Sequence, residues 1–318
     1  MLKPEIAIIL PVYNGGNYLI ESVNSVLEQS LTNFELLIID DCSTDGSWEY
    51  LNNIIDPRIK LFKNETNKGL FYNLNYLIIQ SNTELIKLWA QDDIMLSDCL
   101  QTFFAFFDIH PEVGFSYSQR IMIDENGFEK ENDKVDNTPE IISTELHSRI
   151  AYYTGSIAGN IANVCIHKKA FEKVGLFNES MKISADFDMW VRIAEFFPVG
   201  HINQKLIKLR DHSGQLSRNE KYYLNHVKED LIVYRKLNFY SDSKTKKYGK
   251  VMMRNHKLLF YFTLMIKAFL KCQFLLSIKY FISLLRYDNL LILFINFLKI
   301  KLLKMKPILF AVNSNHEK

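Results

Sequence analysis

The chain contains 318 residues, of which 48% are hydrophobic and 23% are charged. This composition is typical of a globular protein and excludes the disordered and collagen-like classes. The formal net charge of +2 conceals a division, because residues 1–242 carry 23 Lys and Arg against 34 Asp and Glu, whereas residues 243–318 carry 15 against 2. We predict an acidic body over 1–242 and a basic extension over 243–318 that contacts phospholipid or nucleic acid.

The body alternates short apolar runs with amphipathic helical patterns. Helices are predicted to start near residues 17, 45, 70 and 97. This alternation predicts an α/β fold with a mostly parallel, Rossmann-type sheet flanked by helices. The runs that read as buried strands are 6–10, 36–39, 59–62, 85–89 and 113–117.

Farther along the chain, residues 124–140 are acidic and almost without apolar side chains, which predicts a solvated loop. A strand is predicted over 161–166, a short helix over 168–174, and an amphipathic helix over 186–196 with Trp190 in the core. Residues 258–310 are rich in Leu, Ile and Phe with Lys at intervals. Their longest uncharged stretch, 289–298, is ten residues, and a membrane-spanning helix needs about 20. This pattern favours an amphipathic helical extension.

The four cysteines are widely separated and form no C-x-x-C pair, so no zinc or dithiol site of that kind is predicted. The first ten residues include Glu5 and an apolar run too short for a signal peptide. We therefore expect a cytoplasmic protein, which acts at the cytoplasmic face of the membrane if the extension binds lipid.

Carboxylates follow two of the predicted strands. Asp40 and Asp41 follow the second strand, where a turn and a helix start explain them equally well. Asp92 and Asp93 follow the fourth, and two adjacent carboxylates there repel unless a cation lies between them. Strand ends of a parallel sheet meet at one edge, and oxygen ligands suit Mg²⁺ or Mn²⁺ bound together with a phosphate. Neither GxxxxGK[ST] nor GxGxxG is present.

Four motifs together resemble the family 2 glycosyltransferases of the GT-A fold. They are PVYNGG at 11–16, IIDDCSTDGS at 38–47, NKGL at 67–70 and AQDDIMLSD at 90–98. Two later segments resemble the same family: VGLFNESMKISADFDMW at 174–190 and LRDHSGQLS at 209–217. The likeness covers residues 5 to 240 and implies inverting transfer of a sugar from a nucleotide diphosphate to an acceptor hydroxyl.

The resemblance also implies roles for individual residues. Asp186 is the expected catalytic base, with Asp188 the second choice. Asp93 is expected to bind Mn²⁺ or Mg²⁺, with His212 completing the metal or diphosphate site. Asp92 is expected to touch the ribose or to assist the ion.

The remaining expected contacts are to the nucleotide. Pro11, Tyr13, Asn14 and Asp41 are expected to bind the nucleoside, with Tyr13 covering the base and Asp41 accepting from a base N–H. Lys68 is expected to meet a phosphate.

Two residues depart from the family pattern. Gln91 stands where a strict D-x-D motif has its first acid, and Ala185 replaces the first acid of the pair that precedes the Trp helix.

The sequence leaves the donor and acceptor open. A UDP-sugar is the expected donor, with GDP and dTDP as alternatives, and the acceptor is a glycan or a lipid-linked glycan of the cell surface. Peripheral membrane contact through the extension is expected, and nucleic-acid binding is not, because no nucleic-acid motif is recognised. The rival interpretations are a nucleotidyltransferase on a related sheet and an inactive protein that binds sugar nucleotides or glycans.

Overall fold

The computed structural model of the chain describes residues 3–131 and 136–305. These residues form two compact units. The first runs to Thr144 and resumes over Ala158–Arg218, and the second combines Glu145–Ile157 with the residues from Asn219 on. The charge pattern predicts a boundary at 242/243, whereas this division falls earlier. The second unit begins before residue 243 because the helix Tyr223–Tyr240 packs within it. There the hydroxyl of Tyr152 donates to Asn238 Oδ1 at 2.9 Å.

The first unit is built on one sheet. Its strands are β1 (Ile6–Val12), β2 (Phe34–Asp40), β3 (Ile59–Lys63), β4 (Leu85–Leu88), β5 (Ile94–Met95), β6 (Phe115–Ile123), β7 (Ile141–Ile142), β8 (Val164–His167) and β9 (Val199–Arg210). Its helices are α1 (Gly16–Leu27), α2 (Ser47–Asn52), α3 (Leu70–Gln80), α4 (Cys99–Ile109), α6 (Lys168–Val174) and α7 (Ala185–Ala194).

The strand order of the sheet is β3-β2-β1-β4-β8-β6-β9-β5, and β7 pairs with β9. The strands β3, β2, β1 and β4 are parallel. Strand β8 is antiparallel to both β4 and β6, and β9 returns parallel to β6. The predicted α/β fold class, with a mixed sheet flanked by helices, is confirmed.

The packing of α1 fixes where β4 ends. The apolar side chains Leu19 and Val23 of α1 are fully buried in the core of the first unit. Beside them, Ser22 Oγ accepts from Trp89 Nε1 at 2.8 Å and donates to the carbonyl of Ala90 at 2.9 Å. Buried polar groups need such partners, so this contact holds the residues after β4 in one position.

Two of the differences between the first unit and the predicted pattern have a local cause. The predicted strand at 161–166 begins as a 3₁₀ turn, because the side chain of Asn160 accepts from the backbone of Ala162. Strand β9 was not predicted, since its central residues 203–205 are exposed and its pairing with β6 shifts register at Gln119. Without a continuous period-2 pattern, the sequence does not indicate a strand there.

The second unit is helical. It contains most of α5 (Thr144–Thr154), together with α8 (Tyr223–Tyr240), α9 (Ser243–Asn255), α10 (Lys257–Leu270), α11 (Phe274–Leu285), α12 (Leu290–Phe297) and a π-helical turn (Leu298–Leu302). Within the described ranges, no single helix has the length and apolar composition to cross a membrane. One pair, Phe274–Leu285 with Leu290–Lys301, meets both criteria jointly but is bent by 110°.

Candidate functional site

The carboxyl ends of β1, β2 and β4 lie side by side in the sheet. Val12 of β1 is in register with Asp40 of β2, and its carbonyl accepts from Asp41 N at 2.7 Å. On the other side, the backbone N–H of Trp89 donates to the carbonyl of Ile9 at 3.0 Å. The residues that follow these three strands therefore share one edge of the sheet.

Gln91 ties the end of β4 to the turn after β1. Its Oε1 accepts from the backbone N–H of Tyr13 at 2.8 Å, and its Nε2 donates to the carbonyl of Tyr13 at 3.0 Å. An amide is needed for this pairing, because a carboxylate has no donor for the carbonyl. The contact leaves the ring of Tyr13 turned outward, with 48% of the residue exposed.

Side chains from the loop after β2 hold the rest of that turn. Asn14 N donates to Ser43 Oγ at 2.9 Å, and Asn14 itself adopts a left-handed φ of 50°. Gly15 N and Gly16 N donate to Ser47 Oγ and Asp45 Oδ2 at 3.0 and 2.8 Å. Successive N–H groups of the turn are thus already bonded within the protein, so they do not form an anion cradle of the P-loop kind.

Asp41 holds the loop before α3. It is buried, and its carboxylate accepts from Lys68 N at 2.7 Å, from Gly69 N at 2.8 Å and from Asn64 Nδ2 at 2.8 Å. These three bonds position the loop before α3, and the contact of Asp41 with a nucleoside base stays a prediction. The ammonium group of Lys68 remains on an exposed residue at this loop.

Asp40 was not singled out as a binding residue. It is fully buried at the end of β2. Its Oδ2 accepts from Ser43 N at 3.1 Å, and its Oδ1 has no hydrogen-bond partner in the described part of the chain.

Asp92 and Asp93 face opposite environments. Asp92 Oδ2 lies 2.9 Å from Nε2 of His212, and both side chains are partly exposed. Asp93 is 1% exposed, and its Oδ1 accepts from the backbone N–H of Arg210 at 2.9 Å. Burial, together with the charge of Asp92, raises the pKa of the Asp93 carboxyl well above its usual range. Asp92 thus lies on the accessible side with His212, and Asp93 lies in the interior.

Arg210 is the residue that sequence reasoning missed. It lies at the end of β9, is 2% exposed, and its Nε donates to the carbonyl of Asp92 at 2.9 Å. Its guanidinium group also pairs with Glu21 and lies over the ring of Tyr18, 4.5 Å from the centroid. The segment LRDHS contains this arginine, but without β9 in the prediction nothing indicated that it reaches the strand end of β4.

Asp186 opens α7, where the positive end of the helix dipole favours a carboxylate. Its Oδ1 accepts from Phe187 N at 2.7 Å, and the residue is partly exposed. The contacts described above do not reach it. The second choice, Asp188, is buried and paired with Arg192 at 2.8 Å, so its role is structural. Trp190 packs against Phe115 with ring centroids 4.9 Å apart, which confirms its place in the core.

The donor set at Asp92 fits a divalent ion that is shared with a ligand. Among residues 3–131 and 136–305, no group of three or more His, Cys, Asp or Glu side chains is placed to hold one ion. An ion held by Asp92 Oδ2 and His212 Nε2 would replace the hydrogen bond between these two atoms, with the His212 proton on Nδ1. Mg²⁺ and Mn²⁺ commonly bind through one or two protein ligands and take water and phosphate oxygens for the rest.

Solved structures support the fold. The chain is similar to S. aureus TarS 1-349 in complex with UDP-GlcNAc, with a TM-score of 0.60 and 20% identity over 78% of this chain and 70% of that one. It is also similar to the mannosyltransferase PcManGT from Pyrobaculum calidifontis in complex with GDP-Man and Mn²⁺, with a TM-score of 0.56 and 14% identity over 80% and 71%. These likenesses confirm a GT-A-like sheet.

Sequence relatives identify the family. An uncharacterized glycosyltransferase of Rickettsia felis is 31% identical over 233 residues, covering 73% of this chain and 38% of the relative, so the chain spans well under half of that protein. The putative colanic acid biosynthesis glycosyl transferase WcaA of Escherichia coli is 26% identical over 241 residues, covering 70% and 82%. The model of glycosyl transferase family 2 matches residues 7–175. The chain therefore belongs to glycosyl transferase family 2.

Proposed function

We propose that this glycosyltransferase moves a sugar from a nucleoside-diphosphate sugar to an acceptor hydroxyl with inversion, in the synthesis of a cell-surface polysaccharide. The observation that carries the proposal is the Asp92–His212 pair, which stands at the strand edge where the turns after β1 and β2 meet. Ligands of open α/β sheets bind at such edges. Family membership favours sugar transfer over nucleotidyl transfer and over binding without catalysis.

The turn after β1 is suited to a nucleoside. The exposed ring of Tyr13 offers a flat face on which a base stacks. Pro11, near the end of β1, and Asn14, on the turn, stand on either side of it in sequence. Gln91 fixes the backbone from which the ring projects. The UDP-GlcNAc and GDP-Man in the similar structures support a nucleotide-sugar donor, and we propose a UDP-sugar.

The diphosphate follows the nucleoside toward Asp92. Asp92 and His212 would hold Mn²⁺ or Mg²⁺ together with the phosphate oxygens, and Asp93 would support Asp92 from the buried side. When bound, the ion offsets the negative charge that grows on the leaving diphosphate. Lys68, on the loop held by Asp41, supplies a second positive charge to the phosphates. The Mn²⁺ in the mannosyltransferase complex supports this choice of ion.

Asp186 is the proposed general base. The acceptor oxygen forms a bond to the anomeric carbon and gives its proton to the Asp186 carboxylate, while the bond from that carbon to the diphosphate oxygen breaks and the diphosphate leaves with the electron pair. Attack opposite the leaving group inverts the anomeric centre. Asp186 is partly exposed at the start of α7 and is therefore accessible to an acceptor.

The acceptor and the compartment complete the proposal. Similarity to a putative colanic acid biosynthesis enzyme supports a glycan or lipid-linked glycan acceptor. Cys42, Cys99, Cys165 and Cys272 are all free thiols, which supports action in the reducing cytoplasm.

Removing the two hydrogen bonds between the Gln91 side chain and the Tyr13 backbone should weaken nucleotide binding. In Gln91→Met both hydrogen bonds to Tyr13 are lost without a change of charge, so we expect the Kd for UDP to rise about fivefold, the effect of roughly 1 kcal/mol. Gln91→Glu should act in the same direction, because its carboxylate faces the Tyr13 carbonyl. Calorimetry measures the affinity, with Gln80→Glu at the exposed end of α3 as the matched control. Wild-type affinity in both Gln91 variants would remove this role.

Neutralising Asp186 should stop transfer while leaving donor binding intact. A general base contributes about 10²- to 10⁴-fold, so Asp186→Asn should lower the rate of nucleoside diphosphate release by at least about 100-fold across a panel of nucleotide sugars, with UDP affinity unchanged. Glu195→Gln changes an exposed carboxylate after the same helix and should behave as wild type. Turnover of Asp186→Asn near the wild-type rate contradicts the assignment.

The metal assignment is tested by ion binding rather than by activity. We expect Asp92→Asn to lower the affinity of the enzyme–UDP complex for Mn²⁺ at least about tenfold, as measured by electron paramagnetic resonance of free Mn²⁺. Asp211→Asn alters a neighbouring carboxylate that pairs with Lys130, and it should leave Mn²⁺ binding unchanged. If Asp92→Asn binds Mn²⁺ normally and Asp93→Asn does not, the ion belongs to Asp93.

A further inference from the structure

The outer face of α11 is apolar, whereas an ordinary surface helix exposes polar residues and buries its apolar ones. The residues that this helix buries include Ser277 and Tyr280 together with Leu284. Six large apolar side chains point outward, each 42% to 69% exposed, and they recur at the three- and four-residue spacing of one helix face. They are Phe274, Leu275, Ile278, Phe281, Ile282 and Leu285.

Exposed apolar side chains also lie on α10 and α12. At the end of α10, Phe269 and Leu270 are 55% and 74% exposed, and the ring of Phe269 packs edge-on against Phe274 at 5.5 Å. Within α12, Leu293 is the one buried residue. The exposed α12 residues are Leu291, Ile292, Phe294 and Ile295. We call these side chains of α10, α11 and α12 the apolar face. The contact of Phe269 with Phe274 joins its α10 and α11 parts, and soluble monomers rarely expose large apolar patches.

Positive charge accompanies the apolar face. Exposed basic residues lie on the same helices or directly beside them, namely Lys267, Lys271, Lys279, Arg286, Lys299 and Lys301. From residue 243 to 305 the chain has one acidic residue, Asp288. It is buried and forms an ion pair with Arg254, at 2.6 Å from Nη2. The surface therefore carries positive charge that no acidic side chain of this segment offsets.

We propose that the apolar face binds the surface of an anionic phospholipid bilayer. Its Phe, Leu and Ile side chains enter the boundary between headgroups and acyl chains, and the flanking Lys and Arg meet the lipid phosphates. The helices lie in this interface rather than across it, since the 12 residues of α11 reach about 18 Å and the hydrocarbon core is about 30 Å thick. A second copy of the chain is a poorer partner, because a symmetric contact places the same basic residues against each other. This inference is independent of the transfer reaction.

Vesicle flotation of the full chain tests the proposal. We expect the protein to float with phosphatidylcholine vesicles that contain phosphatidylglycerol, and to float at least about fivefold less with phosphatidylcholine alone or at high salt. The double variant Leu275→Ser with Ile282→Ser should lower partitioning at least about tenfold. Its matched control is Ile55→Ser with Ile79→Ser, which changes two exposed isoleucines of the first unit and should float as wild type.

A charge variant and a solution measurement complete the test. Lys279→Glu should weaken flotation at least about fivefold. The control Lys205→Glu, at an exposed residue of β9, should float as the wild type does. Thermal unfolding confirms that each variant folds. Equal partitioning of the Leu275 and Ile282 variant and the wild type overturns the proposal. The proposal is also overturned if the wild type does not bind anionic vesicles but self-associates in sedimentation velocity, and the double variant abolishes that self-association.

Discussion

The site depends on how the protein holds two adjacent carboxylates at the end of β4. Placing Asp93 in the interior beside Asp92 is costly unless the pair is bonded to donors and positive charge. Arg210 meets this need from β9, because its backbone N–H binds the Asp93 carboxylate and its Nε binds the Asp92 carbonyl. With Asp93 held inside, Asp92 is left to face His212 at the accessible edge.

The remaining polar residues of the edge act mainly on one another. Gln91 and the side chains after β2 bond the N–H groups of the turn after β1, and Asp41 bonds the loop before α3. Much of the polarity that the motifs contain is thus used to fix three loops in place. The ring of Tyr13, the Asp92–His212 pair, Lys68 and Asp186 are exposed or partly exposed. These are the chemical types that a base, a diphosphate with its ion, and an acceptor hydroxyl require.

The sequence predicts the parallel strands β1 to β4 because their apolar runs and the helical periods between them are local features. It also places the start of the Trp190 helix within one residue. It does not predict which acid of the pairs Asp40–Asp41 and Asp92–Asp93 is accessible. Adjacent side chains point in different directions, and nothing in the sequence distinguishes the two acids of a pair. Asp41 and Asp93 each accept from backbone N–H groups, contacts that the sequence does not indicate. Arg210 was missed because its partner strand is distant in sequence and its own strand lacks regular alternation.

The central claim is that a nucleotide binds at the carboxyl ends of β1, β2 and β4, with its diphosphate toward Asp92 and His212. A crystal structure of the chain with UDP and Mn²⁺ tests it most directly. The account predicts the base against Tyr13 and an ion bonded to the Asp92 side chain and to phosphate oxygens, with Asp93 still on the Arg210 backbone. Nucleotide bound away from this edge, or an ion held by neither Asp92 nor His212, would contradict it.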